Sequence, residues 1–142
     1  MITFIVLLLV NLWIFSQTRE PQELIEVKEK YRILREHLTE TNNEKFHILS
    51  KCIPITGIKN MKGTVGYNTN KGDEIALCLD GSVNDIFHVL IHELAHSSVT
   101  EYSHSENYWN NYTELRDICV NLGIYEKIPD RKPFCGESIQ DK

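Results

Sequence analysis

Residues 92–104 read HELAHSSVTEYSH, so that His92, Glu93, His96 and His104 fall within one short stretch. The run leading into it, Ile86, Phe87, Val89, Leu90 and Ile91, then Leu94 and Ala95, is apolar nearly all round, the pattern of a buried helix. Ser82 or Asn84 can cap that helix, and Asp85 suits its positive end. Ionisable side chains on a buried helix are costly unless they are paired or bound to something. His92 and His96 are four apart and share one face. Their imidazoles can converge on a single ion, with each nitrogen about 2.0–2.1 Å from it. Glu93 then projects beside the ion, where it can take a proton from a bound water.

A catalytic zinc site takes three protein ligands, and His104 is the candidate third. On a continuous helix it would lie roughly 12 Å beyond His96, so the chain must turn between them. Ser97, Ser98, Val99, Thr100 and Ser103 are poor helix formers and allow this. A second helix is predicted to begin at Ser103, because Ser103-His104-Ser105-Glu106 fits a capping box, with His104 on its first turn. Tyr108, Tyr112, Leu115, Cys119 and Leu122 give that helix an apolar stripe, and Gly123 can end it. Glu106 and Glu114 are alternative third ligands. His88 lies one turn before His92 and is expected to line the pocket; as a fourth ligand it would close the site and make it structural. His37 and His47 sit among polar residues and are expected at the surface.

Working outward, Thr64–Thr69 and Glu74–Leu79 read as paired strands joined by the turn residues Asn70-Lys71-Gly72-Asp73. Ile75, Leu77 and Leu79 alternate with Ala76 and Cys78, so the second strand is apolar on both faces. Pro54 and Gly57 make residues 46–62 strand or loop rather than helix. Leu24, Val27, Tyr31, Leu34 and Leu38 recur at helical spacing, which predicts a helix over residues 21–40 laid on the domain, with Pro21 in its first turn. Residues 2–15, ITFIVLLLVNLWIF, carry one polar residue, Asn11. As a helix they span roughly 21 Å, short of the ~30 Å hydrocarbon core unless flanking residues extend them. No basic residue precedes the run, which disfavours a signal peptide. Arg19, Lys28, Lys30, Arg32 and Arg35 follow it and favour a single-pass anchor through residues 2–16 with the domain on the cytosolic side. The expected division is an anchor (1–18), an amphipathic helix and linker (19–45) and the domain proper (46–142).

The chain of 142 residues carries a net charge of −5 with Lys and Arg interspersed among Glu, which argues against nucleic acid as a partner. Cys52, Cys78, Cys119 and Cys135 form no CxxC pair, so no zinc ribbon or redox motif is written. On the cytosolic side all four are expected as free thiols, with Cys78 and Cys119 in the core; an oxidising location would instead allow two bridges, in any of three connectivities. The triplet Asn111-Tyr112-Thr113 matches a glycosylation acceptor, but it falls mid-helix and reads as accidental.

His92-Glu93-Leu94-Ala95-His96, followed by His104 and then Ser105-Glu106-Asn107-Tyr108-Trp109, resembles the WLM and SprT-like zinc metallopeptidase domains. Asn70-Lys71-Gly72, Ile75 to Leu79, Gly123-Ile124-Tyr125 and Phe134-Cys135-Gly136 make the resemblance strongest to the WLM-like metallopeptidases of large DNA viruses. It covers roughly residues 63–139. The resemblance implies an α+β, minimal zincin-like fold: a small sheet packed on the HExxH helix and a following helix. It implies one Zn2+ per chain on His92, His96 and His104, Glu93 as general base, and a peptide or protein substrate. A viral protein of this kind would sit in a virion or host membrane. Ser105 stands where the family has glycine, so the turn after the third ligand must be made differently. An extended substrate is expected to add to a sheet edge, either Glu74–Leu79 or its hairpin partner. Tyr67, Tyr112 and Tyr125 are the candidate oxyanion donors. Two alternatives stand beside this reading. One is a catalytically idle zinc protein whose fourth position is filled by Cys135 or His88. The other is a metal-free interaction domain.

Overall fold

A computed structural model describes all 142 residues as a mixed α+β fold. Helix α1 (Ile2–Gln17) is followed by α2 (Gln22–Glu40), a short 3-10 turn (His47–Ser50) and strand β1 (Ile55–Ile58). Strands β2 (Gly66–Thr69) and β3 (Glu74–Cys78) come next, then the long helices α3 (Val83–Ser97) and α4 (Glu106–Asn121). A hairpin of β4 (Lys132–Phe134) and β5 (Glu137–Ile139) ends the chain.

The main sheet has the order β1-β3-β2. β2 and β3 pair antiparallel, Tyr67 opposite Ala76, across a turn in which Asn70, Lys71 and Gly72 all have positive φ. β1 runs parallel to β3, with Ile55 opposite Ile75 and Ile58 opposite Cys78. β3 is therefore central, and Ile75, Ala76, Leu77 and Cys78 are fully buried. Of the two candidate edges, Glu74–Leu79 is thus central and not a free edge, while its hairpin partner β2 is an edge, beside α3.

α3 lies against β2 and β3, with α2 and α4 packed on it. Its apolar residues enter the same core as Leu24, Val27, Tyr31, Leu34 and Leu38 of α2, so α2 is laid on the domain as its periodicity predicts. Pro21 proves to be the N-cap of α2 rather than part of its first turn. The close approach of α3 to the sheet depends on Gly66. A Cβ there would stand 2.8 Å from the Ala76 carbonyl oxygen and 2.9 Å from Val89. Ser82 caps α3 by accepting from the Asp85 N–H, while Asn84 instead bonds the backbone of Glu126.

The C-terminal hairpin is fastened to this body in two ways. Phe134 packs its ring over Gly81, where a Cβ would fall 2.3 Å from it. Cys135, in the hairpin turn, is disulfide-bonded to Cys78 of β3. The expectation of four free thiols is thus corrected. Cys52 is free and exposed, Cys119 free and buried, and Cys78 and Cys135 are joined. Sequence spacing could not reveal the bridge, because 57 residues separate its ends and pairing is set by the fold.

No residue of α1 is buried. No single helix is long and apolar enough to cross a membrane; α1 and α2 meet the length and composition requirement only together, as a pair bent by 57°.

Candidate metal centre

The three histidines converge. His96 Nε2 lies 3.1 Å from His104 Nε2, and His104 Nε2 lies 3.2 Å from His92 Nε2. Three nitrogens bound tetrahedrally at 2.0–2.1 Å to one ion stand about 3.3 Å apart, so the donors fit such an ion in type and in spacing. Lone pairs gathered this closely repel one another unless a cation lies between them. The rings of His92 and His96 are also kept neutral, as ligands must be. Burial, followed by the charges of His96, His104 and His88, pushes the His92 pKa down to about 3. Burial, then His104 and Lys71, pushes that of His96 down to about 4.

Helix geometry supplies His92 and His96; the turn that returns His104 needs a separate explanation. α3 ends at Ser97 and α4 begins only at Glu106, so His104 sits in the connecting loop rather than on the first turn of a helix. Ser105 is the N-cap, accepting from the Tyr108 N–H at 3.0 Å. It does so at an ordinary φ of −66°, which explains why serine serves here where the resembling family has glycine. Glu101 accepts from the Ser105 hydroxyl at 2.5 Å, and that bond, first among several, holds its carboxyl down to about 2.

Lys71 completes the loop. From the β2–β3 turn its ammonium donates to the carbonyls of His96 (2.9 Å), Val99 (2.9 Å) and Glu101 (2.6 Å). The first is a carbonyl that the end of α3 leaves without a helical partner, and the other two belong to the loop that follows it. Sequence reasoning read Lys71 only as a turn residue and missed this role; its positive φ of 54° is a strain that the three bonds offset. Lys71→Met is expected to free the loop and weaken zinc binding about tenfold, the lower end for outer partners of a metal site. A competitive zinc titration against a chromogenic chelator measures it.

Tyr108 forms the floor of the centre. Its ring lies 5.5, 4.5 and 4.8 Å from those of His92, His96 and His104, and its hydroxyl donates to the His92 carbonyl at 3.2 Å. Trp109 stacks on His104 at 5.7 Å. Of the expected helix stripe, Tyr108, Tyr112, Leu115 and Cys119 are buried, whereas Leu122 is the half-buried C-cap of α4, and Gly123, at φ +73°, follows it. Cys78, Asp80 and Cys135 also bring their ligand atoms within metal-binding reach of one another, but the two sulfurs are spent on the disulfide.

No protein-family model matches the chain, and no solved structure matches it. It is similar to a mimivirus protein. That protein, an uncharacterized one of Acanthamoeba polyphaga mimivirus, is 35 % identical over 85 residues, covering 53 % of this chain and 43 % of the relative. The chain thus matches less than half of its relative's length, and a viral origin fits the likeness.

Glu93 is buried, and burial raises its carboxyl pKa to about 7. It stands outside the group of three ligand atoms and lines the cleft that His92 and His104 border. This cleft, of about 370 Å³, runs between Thr64–Gly66, which lead into the edge strand, and Glu137–Gln140 of the terminal hairpin. Glu106 and Glu114 are not brought to the centre: both are exposed, and Glu114 pairs with Lys45. His47 is exposed and His37 half-buried, each outside the ligand group. Asn111 is buried and donates to Ser98 at 2.9 Å, in keeping with an accidental glycosylation triplet. Of the three candidate oxyanion donors, Tyr67 is exposed on β2, whereas Tyr112 and Tyr125 both turn their hydroxyls onto Asp141.

Proposed function

We propose that this chain is a membrane-attached zinc metallopeptidase of the WLM or SprT-like kind, built on a minimal zincin-like fold. The observation that carries the reading is the meeting of three histidine nitrogens beside a buried carboxyl at an open cleft. His92, His96 and His104 would hold one zinc ion, which supplies the Lewis acidity that makes water nucleophilic and polarises a peptide carbonyl. Glu93, with a pKa near neutrality before any ion adds its charge, is suited to take a proton from the attacking water and hand it to the leaving amine. The cleft beside β2 has room for an extended peptide. A polynucleotide has no basic face to meet, given a net charge of −5.

The idle-protein alternative needs a fourth protein ligand. Cys135 is bonded to Cys78, and His88 stands outside the group of three ligand atoms, so neither is among the centre's ligands. The test of the reading is metal content and proteolysis together. The chain in detergent should carry one zinc by native mass spectrometry and cleave unfolded casein in a chelator-sensitive way. A chain that stays zinc-free after adding the metal back would leave the histidines as helix trim.

Helix α1, about 24 Å long at 1.5 Å per residue and apolar on every side, is suited to hold the domain at a membrane. The basic residues after it favour the cytosolic side, but the Cys78–Cys135 bridge favours an oxidising one. We give the bridge more weight, because a charge bias is a tendency whereas a disulfide does not persist against cytosolic reductants. Alkylation of the native, unreduced chain is expected to modify Cys52 alone. Cys119 should react only after denaturation, and Cys78 and Cys135 only after reduction. Thiol trapping in infected or expressing cells that labels Cys78 in the folded chain would return the domain to the cytosolic side.

A further inference from the structure

His88 is nine-tenths buried, one helical turn before His92, and lines the same cleft. Its Nδ1 lies 2.8 Å from the Tyr125 hydroxyl, 3.3 Å from that of Tyr112 and 3.5 Å from Asp141 Oδ1. Asp141 in turn accepts from both tyrosine hydroxyls and from the Ile128 N–H at 2.7 Å. Burial pushes the Asp141 carboxyl pKa up, but the bonds from His88, Tyr112, Tyr125 and Ile128 more than offset it and hold it far below the ordinary range. With three donors directed at its oxygens, the carboxylate acts here as an acceptor.

Proton accounting then fixes Nδ1 as a donor. Each tyrosine has one hydroxyl hydrogen, and both are committed to Asp141. The close contact between His88 and Tyr125 can be a hydrogen bond only if Nδ1–H donates to the tyrosine oxygen. In the neutral imidazole that leaves Nε2 as a bare acceptor. Nε2 has no protein partner, and it is not among the fully enclosed polar atoms that lack one. It opens on the cleft.

We propose that His88 is a substrate-contacting residue of this cleft. Its Nε2 accepts a hydrogen bond from a main-chain N–H of an extended peptide, and Asp141, acting through Tyr125 and Tyr112, is the positioning residue that fixes the tautomer. The inference rests on the metallopeptidase reading for what fills the cleft. It assigns the site a recognition element one helical turn from the metal ligands. It also explains why two buried tyrosines and a carboxylate are assembled around a histidine that binds no ion.

Two measurements on the full chain in detergent micelles test it. Long-range proton–nitrogen spectra of histidine-labelled protein should show His88 as the Nδ1–H tautomer, and Asp141→Asn should shift it toward Nε2–H. Zinc-loaded protein is then titrated with acetohydroxamate, which reaches only the metal, and with an N-acetyl dipeptide hydroxamate, which adds main-chain N–H groups. His88→Phe should weaken the dipeptide compound about tenfold, the worth of one hydrogen bond to a site group, and leave acetohydroxamate unchanged. Finding Nε2–H in the wild type, equal weakening of both ligands, or weakening of neither would overturn the proposal. If the wild type takes up zinc but binds neither hydroxamate, the proposal falls while the metal centre stands. If it takes up no zinc, the metallopeptidase reading falls and carries this proposal with it.

Discussion

Replacing Glu93 by glutamine is expected to abolish peptide hydrolysis while leaving one zinc ion per chain. Glutamine keeps the size and one acceptor oxygen of the side chain but cannot take a proton. A positioned general base contributes about 10²–10⁴-fold in rate, so turnover of casein should fall by at least about a hundredfold with little change in substrate affinity. Zinc should remain because the carboxyl lies outside the three ligand atoms. Removing a buried carboxyl held near pKa 7 also has a stability consequence in the metal-free protein. A raised carboxyl pKa contributes stability that is fully present below the unfolded value near 4.5 and is lost as pH rises through about 7. The metal-free Glu93→Gln chain should therefore lose less stability than the wild type between those two pH values, which thermal melts in matched buffers measure. If the variant lost zinc instead of activity, Glu93 would be a ligand and the assignment of roles would be wrong.

His104→Ala is expected to weaken zinc binding by more than about a hundredfold, beyond the range that outer partners of a metal site reach. His104 is exposed and lies between helices, so its side chain contributes little to the core and the fold should survive. His92→Ala should cost as much affinity. It also removes a ring packed against Tyr108 and Tyr112, so it should lower the melting temperature of the metal-free chain as well. The contrast between the two variants separates ligand loss from packing loss. Unchanged zinc affinity in His104→Ala would mean that a residue other than His104 completes the centre.

Much of the fold was legible because its signals are local. The apolar positions of α2 and α3, the turn residues 70–73 and the glycine after α4 each act within a few residues, and the structure follows them. The three histidines were legible because helical spacing converts four residues into one face. β1 was legible only as strand or loop within residues 46–62, since Ile55–Ile58 includes Gly57 and becomes a strand by pairing with β3. The terminal hairpin was equally hidden, with three-residue strands and a proline in the first. The start of α4 was placed too early because two serines compete to cap it, and the structure uses Ser105 rather than Ser103. Lys71 and Asp141 were missed for one reason. Lys71 acts on carbonyls 25 or more residues away and Asp141 on groups 13 to 29 residues away, and nothing in their own neighbourhood marks them.

The link between Cys78 and Cys135 has a consequence for the chain as a polymer. It closes a loop of 57 residues, worth roughly 4 kcal/mol against the open unfolded chain. That loop contains all of α3, α4 and the exposed Pro129–Lys132 segment. A single cut anywhere inside it, whether by a host enzyme or by another copy of this chain, would not release a fragment. The nicked molecule would run as one species on a non-reducing gel and as two on a reducing one. The cleft would keep its hairpin wall after the backbone had been severed.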